Sequence, residues 1–289
     1  MVDACRFFLG VSSSIFPAKT ISSPAYKLLA HYGVAAVEIG YEKVGPALLD
    51  TSLQDKLVAL VRDAHPPVVS LHAPYEPDRD ISVLDEKQRL TAVRNTEKTL
   101  ELADRLGANI VVVHGSQYPI AVGEREARRK QAHKSLDSLV EKGRALNLRL
   151  ALEMMPPEWL PAGTSEAFDM VEGLDPNVIG FCLDTNHANL TGDLSEIVHA
   201  LGSRIWIMHL SDNDGLKQQH WMPFQGVIDW EAFMAALVAV NYAGPLHYEL
   251  DPHPSGPEKG LQEIEANFQR LLGFVPGGKV VDRPPQPLR

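Results

Sequence analysis

The chain has 289 residues and a formal net charge of −10, and this acidic balance disfavours general attraction to nucleic acid or to an anionic membrane surface. Hydrophobic residues make up 45% and charged residues 22% of the chain, which is typical of a globular protein. The length suits one large domain, or two small ones, with a substantial buried core.

The cysteines and the apolar runs indicate the cellular compartment of the protein. Two cysteines, Cys5 and Cys182, provide no disulfide framework, and this favours a reducing compartment. No apolar run approaches the roughly 18 residues that a membrane span needs. The segment RFFLGVSSSIFPA has a weak likeness to a signal peptide, but Asp3 and three consecutive serines argue against that interpretation. We therefore expect a cytoplasmic protein that does not span a membrane.

Eight short apolar runs, rich in β-forming residues, alternate with helical patterns along the chain. The predicted strands cover residues 6–11, 35–40, 67–72, 109–114, 148–153, 178–184, 204–210 and 244–250. The predicted helices lie near residues 24–33, 51–64, 85–106, 126–146, 164–173, 193–201, 230–240 and 258–272. The strands are apolar throughout rather than alternating, as expected when both faces of a parallel sheet are buried.

Eight strand–helix units predict a single (β/α)₈ TIM barrel of the α/β class, which we place at residues 1–274. An open, doubly wound sheet is the main competitor, but no GxGxxG follows the first strand. Residues 275–289, VPGGKVVDRPPQPLR, form a Pro/Gly-rich tail. This tail is either a loose end or an arm that reaches a neighbouring subunit of a homo-oligomer.

Four of the apolar runs end in a residue that can bind a metal ion. The runs are LRLALE, VIGFCLD, RIWIMH and GPLHYE, and their last residues are Glu153, Asp184, His209 and Glu249. In a parallel barrel the ends of these strands share one rim, so the four side chains would converge. Buried together without a cation they would repel one another and lose their hydration, whereas a divalent cation removes that cost. Three carboxylates and one imidazole therefore predict one divalent metal ion, with Mn²⁺, Mg²⁺, Co²⁺ and Zn²⁺ as candidates.

Further polar and aromatic residues fall on the same predicted rim. His72 and His114 end the third and fourth strands, His187 follows Asp184 by three residues, and His220 lies in the long loop after the seventh strand. Trp221 beside it could stack on a sugar face or anchor the loop.

With the strand ends placed, the sequence resembles the xylose-isomerase-like TIM-barrel superfamily of sugar isomerases, ketose epimerases, inosose dehydratases and isomerases, and endonucleases of the endonuclease IV class. The matching pieces occur in family order: LHAPY (71–75), VVVHGS (111–116), ALEMM (151–155), CLDTNH (182–187), MHLSDND (208–214), the pattern H-x-x-P-x-x-G-x-I-D-W (220–230) and YEL (248–250).

The resemblance implies that Glu153, Asp184, His209 and Glu249 are the shared metal ligands. It also implies that Glu153 and Glu249 flank the substrate and exchange its proton, and that His187 contacts a substrate oxygen or a further metal. In the endonucleases, residues at the positions of His72, His114 and Glu153 hold a second metal ion. A third ion would be held by residues at the positions of His187 and His220 with an Asp two residues before the latter, but this chain has Gln218 there.

These observations predict a divalent-metal-dependent isomerase or epimerase of a small sugar or polyol, which works through an enediolate-type intermediate. The small-molecule substrate would bind against His72, His114, His187, His220 and Trp221. A dehydratase could use the same base and metal ion. Two rival functions are a multi-metal phosphodiesterase that acts at abasic sites, and a sugar-binding protein without catalytic activity.

Overall fold

The structure is a computed structural model that describes residues 7–17, 22–62, 64–117, 120–121 and 123–275. Cys5 and residues 276–289 of the predicted tail lie outside these residues, so the division at residue 274 stays a prediction.

Eight parallel strands close into a barrel in which each strand pairs with the next and β1 pairs with β8. The strands are β1 (Phe8–Ser12), β2 (Ala36–Ile39), β3 (Val68–His72), β4 (Ile110–Val113), β5 (Arg149–Glu153), β6 (Ile179–Asp184), β7 (Ile205–Leu210) and β8 (Pro245–Tyr248). The predicted TIM barrel is therefore confirmed. The register places Glu153 beside Cys182 and Asp184 beside His209, which brings three of the four predicted ligands to one end of neighbouring strands.

Helices surround the barrel and bury their apolar faces against the outer face of the sheet. Among the described residues they are α1 (Ser23–His31), α2 (Tyr41–Leu49), α3 (Thr51–Val61), α4 (Glu86–Leu106), α5 (Arg125–Leu146), α6 (Thr164–Met170), α7 (Thr185–Ala188), α8 (Leu194–Leu201), α9 (Trp230–Ala239) and α10 (Pro257–Leu272). In the part of the chain that the structure describes, no helix is long and apolar enough to cross a membrane.

Local signals set the helix ends. Asp85 caps α4 by accepting a hydrogen bond from the Gln88 amide, and α4 ends at Gly107, whose positive φ of 73° suits glycine. Asp229 caps α9 in the same way. Two helices, α2 and α7, were not predicted. Gly45 and Pro46 make the sequence of α2 look like a loop, and α7 is a single turn directly after β6.

The interior of the barrel contains two different layers of side chains. Val112, Ala151, Cys182 and Ile207 form a small apolar cluster of their own, separate from the large core between strands and helices. Towards the carboxyl ends of the strands the inward-facing side chains become polar. The apolar layer therefore closes the barrel below a polar floor, and an active site can lie above that floor.

Candidate metal centre and active-site cleft

The four side chains predicted to bind a metal ion converge at the carboxyl end of the barrel. Glu153, Asp184, His209 and Glu249 each contribute one ligand atom to a group whose atoms all lie within 4.8 Å of one another. Nδ1 of His209 is 3.5 Å from Oε1 of Glu153, 3.9 Å from Oδ2 of Asp184 and 3.3 Å from Oε2 of Glu249. We call these residues the four-ligand cluster. Its geometry matches the size of a coordination sphere for one ion.

Two atoms of the four-ligand cluster show that the site fits a cation. Oδ2 of Asp184 and Nδ1 of His209 are buried and have no hydrogen-bond partner among the described residues. Burial raises the pKa of Asp184, and the nearby carboxylates of Glu153 and Glu249 raise it further. A buried carboxylate in such surroundings is stabilised by a divalent cation, and the set of three carboxylates and one imidazole suits one.

Glu153 lies at the centre of a group of histidines. Its Oε2 is 3.0 Å from Nε2 of His72 and 3.0 Å from Nε2 of His114, and its Oε1 is 3.4 Å from Nδ1 of His187. Burial alone would raise the pKa of Glu153, but the neighbouring imidazoles, led by His114 and His209, outweigh it and hold the pKa well below its usual value. Glu153 therefore remains an anion that can bind a cation or accept a proton.

The surroundings of Glu153 shift the pKa values of His72 and His114 in opposite directions. Burial disfavours the charged form of His72, but contact with Glu153 outweighs burial and raises the pKa of His72 to about 9. Nδ1 of His72 is 2.8 Å from the carbonyl oxygen of Ala73, which can only accept, so this nitrogen carries a proton. Burial dominates at His114 and lowers its pKa to about 4.

A cleft of about 510 Å³, its open mouth included, lies over the four-ligand cluster. Its lining includes six residues predicted to act on or bind a substrate, namely Glu153, Glu249, His72, His114, His187 and His220. Asp184 and His209 are fully buried at its floor.

Trp221 does not lie with these residues among the described lining of the cleft. The residue is 39% exposed, and its backbone pairs with that of Asp212 across the loop. Its predicted contact with a sugar stays a prediction. Two other aromatic residues stand closer to the histidines. Tyr75 stacks on His114 with ring centroids 4.4 Å apart, and Tyr41 lies 4.3 Å from Tyr75.

A fourth carboxylate, not predicted from the sequence, lies below the four-ligand cluster. Glu38 on β2 is fully buried, and its Oε1 lies 3.0 Å from Nε2 of His209. Ser70 on β3 donates a hydrogen bond to the other oxygen of Glu38, 2.8 Å away. The signal was a single acid in the apolar run AAVEIG, one residue before the strand ends.

Asp212, which organises the long loop after β7, was also not predicted. Oδ2 of this buried carboxylate accepts hydrogen bonds from the amides of Phe224 and Gly226 and from the indole of Trp230. Its Oδ1 accepts from the amide of Ile228. The loop carries His220, whose Nδ1 is 3.2 Å from the carbonyl oxygen of Glu249.

Comparison with known protein families gives one match along most of the chain. The model of the family described as "Xylose isomerase-like TIM barrel" matches residues 26–271.

Three curated relatives show what similar proteins have been called. An uncharacterized protein of Methanocaldococcus jannaschii is 28% identical, and the match covers 83% of this chain and 82% of the relative. The inosose isomerase of Bacillus subtilis is 24% identical over 57% of this chain and 62% of its own length. The 3-dehydroshikimate dehydratase of Pseudomonas aeruginosa is 26% identical over 61% of this chain, but this chain spans only 28% of that protein.

Two solved structures have a fold similar to that of this chain. The crystal structure of a D-tagatose 3-epimerase-like protein has a TM-score of 0.78 at 22% identity and covers 93% of this chain and 98% of that one. The IOLI protein, solved with a zinc atom, has a TM-score of 0.79 at 20% identity and covers 93% of this chain and 99% of its own.

Proposed function

This chain belongs to the xylose isomerase-like TIM-barrel family, and from that premise we propose that it is a divalent-metal-dependent isomerase or epimerase of a small sugar or polyol. The observation that carries the proposal is the position of two glutamates. Glu153 and Glu249 belong to the four-ligand cluster and also line the cleft above it. They can therefore hold an ion and meet a substrate at the same place.

The four-ligand cluster would hold one divalent ion, with Mn²⁺, Mg²⁺, Co²⁺ and Zn²⁺ all compatible with its donors. The similar IOLI protein was solved with zinc, which supports a metal ion at such a site without identifying it here. Bound there, the ion would supply Lewis-acid stabilisation of the negative charge that develops on the substrate.

The protein's own residues would move the proton. Glu249 is the more accessible of the two glutamates, with a side chain that is 16% exposed, whereas that of Glu153 is 2% exposed. We propose that one glutamate removes the proton beside the substrate carbonyl, and that the other takes or delivers a proton on the opposite face. His72 and His187 line the cleft, and Nε2 of His187, which has no partner among the described residues, would form a hydrogen bond with a substrate hydroxyl group.

The similar proteins include epimerases, an inosose isomerase and a 3-dehydroshikimate dehydratase, so dehydration is a competing reaction for the same site. A dehydratase would use the same base and then expel a hydroxyl group.

The cytoplasmic location and the homo-oligomer also stay predictions.

A multi-metal phosphodiesterase is a second candidate, and one observation favours it. His72 and His114 both approach Oε2 of Glu153 to 3.0 Å, and His72, Glu153 and His209 form a second group with ligand atoms within 4.8 Å. Against it, Gln218 stands where the resemblance expects an acid for a third ion.

Metal content and solvent exchange test the proposal together. Purified protein loaded separately with each candidate ion is offered ketoses, aldoses and inososes in D₂O, and products are resolved by chromatography and NMR. We expect isomerisation or epimerisation that depends on the ion and incorporates deuterium beside the carbonyl. Cleavage of abasic-site DNA with two or three ions per chain, and no turnover of any sugar, would overturn it.

A further inference from the structure

We infer that the substrate of this cleft carries no negative charge, and that it is an unphosphorylated polyhydroxy ketone or aldehyde rather than a sugar phosphate or a carboxylic acid. The inference rests on the proposed function, which it deepens, and it assigns the selectivity to Glu42. It follows from the charges and hydrogen-bonding groups of the cleft wall.

The wall of the cleft is acidic. Four carboxylates line it, those of Glu42, Glu153, Glu249 and Asp251, together with four histidines, while no Lys or Arg is among the described residues of the lining. A site that holds a phosphate or carboxylate usually offers an Arg, a Lys or a set of backbone amides. In this cleft an anion would instead face like charges, and repulsion between like charges disfavours binding.

A bound divalent metal ion would not make the net charge of the cleft wall positive. The three carboxylates of the four-ligand cluster exceed the charge of one divalent ion, and Glu42 and Asp251 stand outside that cluster.

The part of the wall beside β1 consists of groups that accept hydrogen bonds. Ser14 donates its hydroxyl proton to the carbonyl oxygen of Leu250, 3.2 Å away, so its oxygen is left to accept. Glu42 and Asp251 line the same cleft, and a carboxylate, when ionised, can accept hydrogen bonds but cannot donate them. Hydroxyl groups of a sugar can donate to all three, whereas a phosphate dianion has no proton to donate.

Glu42 is placed in this wall by the local sequence. It lies in the first turn of α2, where the helix dipole favours a negative charge. Gly40 makes room for it, because a Cβ at that position would lie 2.6 Å from Oε2 of Glu42. That oxygen is buried without a hydrogen-bond partner among the described residues.

An independent observation, an unpartnered nitrogen of His187, supports binding of a polar ligand in the cleft. His187 is 4% exposed and lines the cleft, and its Nε2 has no partner among the residues that the structure describes. Its Nδ1 donates to the carbonyl oxygen of Met154, 3.0 Å away, which fixes the ring. Nε2 is therefore free to meet a substrate oxygen.

The test compares matched ligands on Mn²⁺-loaded protein. Each pair has a neutral and an anionic member, for example D-fructose with D-fructose 6-phosphate, and an inosose with 3-dehydroshikimate. Binding is measured by water-proton relaxation and by thermal shift. We expect the neutral member of each pair to bind more tightly, and the preference to weaken as salt is raised. Tighter binding of the anionic members, or no binding of any neutral member, would overturn the inference.

Glu42→Lys and Glu42→Gln test the assigned residue, and the second variant guards against misfolding of the first. Reversing one charge should shift the neutral-to-anionic ratio of affinities by roughly tenfold towards the anion, and removing it should shift the ratio less. Glu172→Lys makes the same charge change after α6, at the opposite end of the barrel, and should leave the ratio unchanged. Equal ratios in Glu42→Lys and Glu172→Lys would refute the role of Glu42.

Turnover separates the two proposals. A neutral ligand that binds best but is neither isomerised nor exchanged with D₂O sinks the proposed function and leaves the inference standing. An anionic ligand that binds best and is isomerised would refute the inference about charge and leave the proposed function standing.

Discussion

Oε1 of Glu38 lies 3.0 Å from Nε2 of His209, on the side of the imidazole away from the other three residues of the four-ligand cluster. The opposite nitrogen, Nδ1, faces Glu153 and Glu249 at 3.5 and 3.3 Å. A carboxylate behind a metal-binding histidine holds the proton on the far nitrogen, orients the ring and makes the near nitrogen a stronger donor.

Glu38→Gln is therefore expected to weaken metal binding by about 10- to 100-fold, the usual effect of losing such a partner. The amide keeps the shape of the side chain, and Ser70 can still donate to its oxygen. The dissociation constant of Mn²⁺ or Zn²⁺, measured by chelator competition, checks this. The absorption bands of the Co²⁺-loaded protein should also change, because the donor strength of His209 changes. Glu172→Gln on the far face is the matched control, and an unaltered affinity in Glu38→Gln would contradict the role.

Metal binding should strengthen as pH rises. Burial opposes charging of His209, but Cys182 and the carboxylates of Glu249 and Glu38 outweigh it and hold the pKa of His209 well above its usual value. Below that pKa the ring of the metal-free protein is protonated, so a cation must displace a proton from Nδ1. The affinity should therefore fall about tenfold for each pH unit below that pKa and level off above it. Titrations between about pH 6 and 9 measure the slope, and a flat affinity over this range would show that His209 is not a ligand.

The barrel and its rim could be predicted from the sequence because the signals repeat. Most strands are short apolar runs with a polar residue at or just after their end, and the parallel barrel then brings Glu153, Asp184 and His209 together. The role of Glu38 could not be predicted from the sequence because it is one acid inside an apolar run. Only the pairing of strands reveals that it faces His209. The position of Trp221 could not be predicted, because the contacts of Asp212 decide how the loop folds.

Asp212→Asn should loosen the loop after β7. The substitution replaces one accepting oxygen with an amide that cannot accept from the amides of Phe224 and Gly226 or the indole of Trp230. We expect a loss of about 2–4 kcal/mol in the free energy of unfolding, since buried donors lose their partner. We also expect faster tryptic cleavage at the exposed Lys217.

Asp229→Asn is the matched control for that variant. Asp229 caps α9 by accepting one hydrogen bond from the Ala232 amide, and asparagine caps a helix about as well as aspartate. Urea unfolding and a time course of limited proteolysis compare the two. If Asp212→Asn resists trypsin as well as Asp229→Asn does, the loop does not depend on the Asp212 carboxylate.

Glu249→Gln separates the two roles proposed for the accessible glutamate. Glutamine keeps the length of the side chain and one coordinating oxygen, so much of the bound metal should remain. It removes the basic carboxylate, so turnover and exchange with D₂O should both fall by about 10²-fold or more. Excess metal should not restore them.

Asp184→Asn is the informative contrast, because Asp184 is fully buried at the cleft floor and is proposed only to hold the ion. Its activity should fall with its metal content and recover partly at high metal concentration. Normal turnover by metal-loaded Glu249→Gln would exclude the two-glutamate mechanism, and a wild-type reaction that moves hydrogen without any solvent exchange would favour a hydride shift.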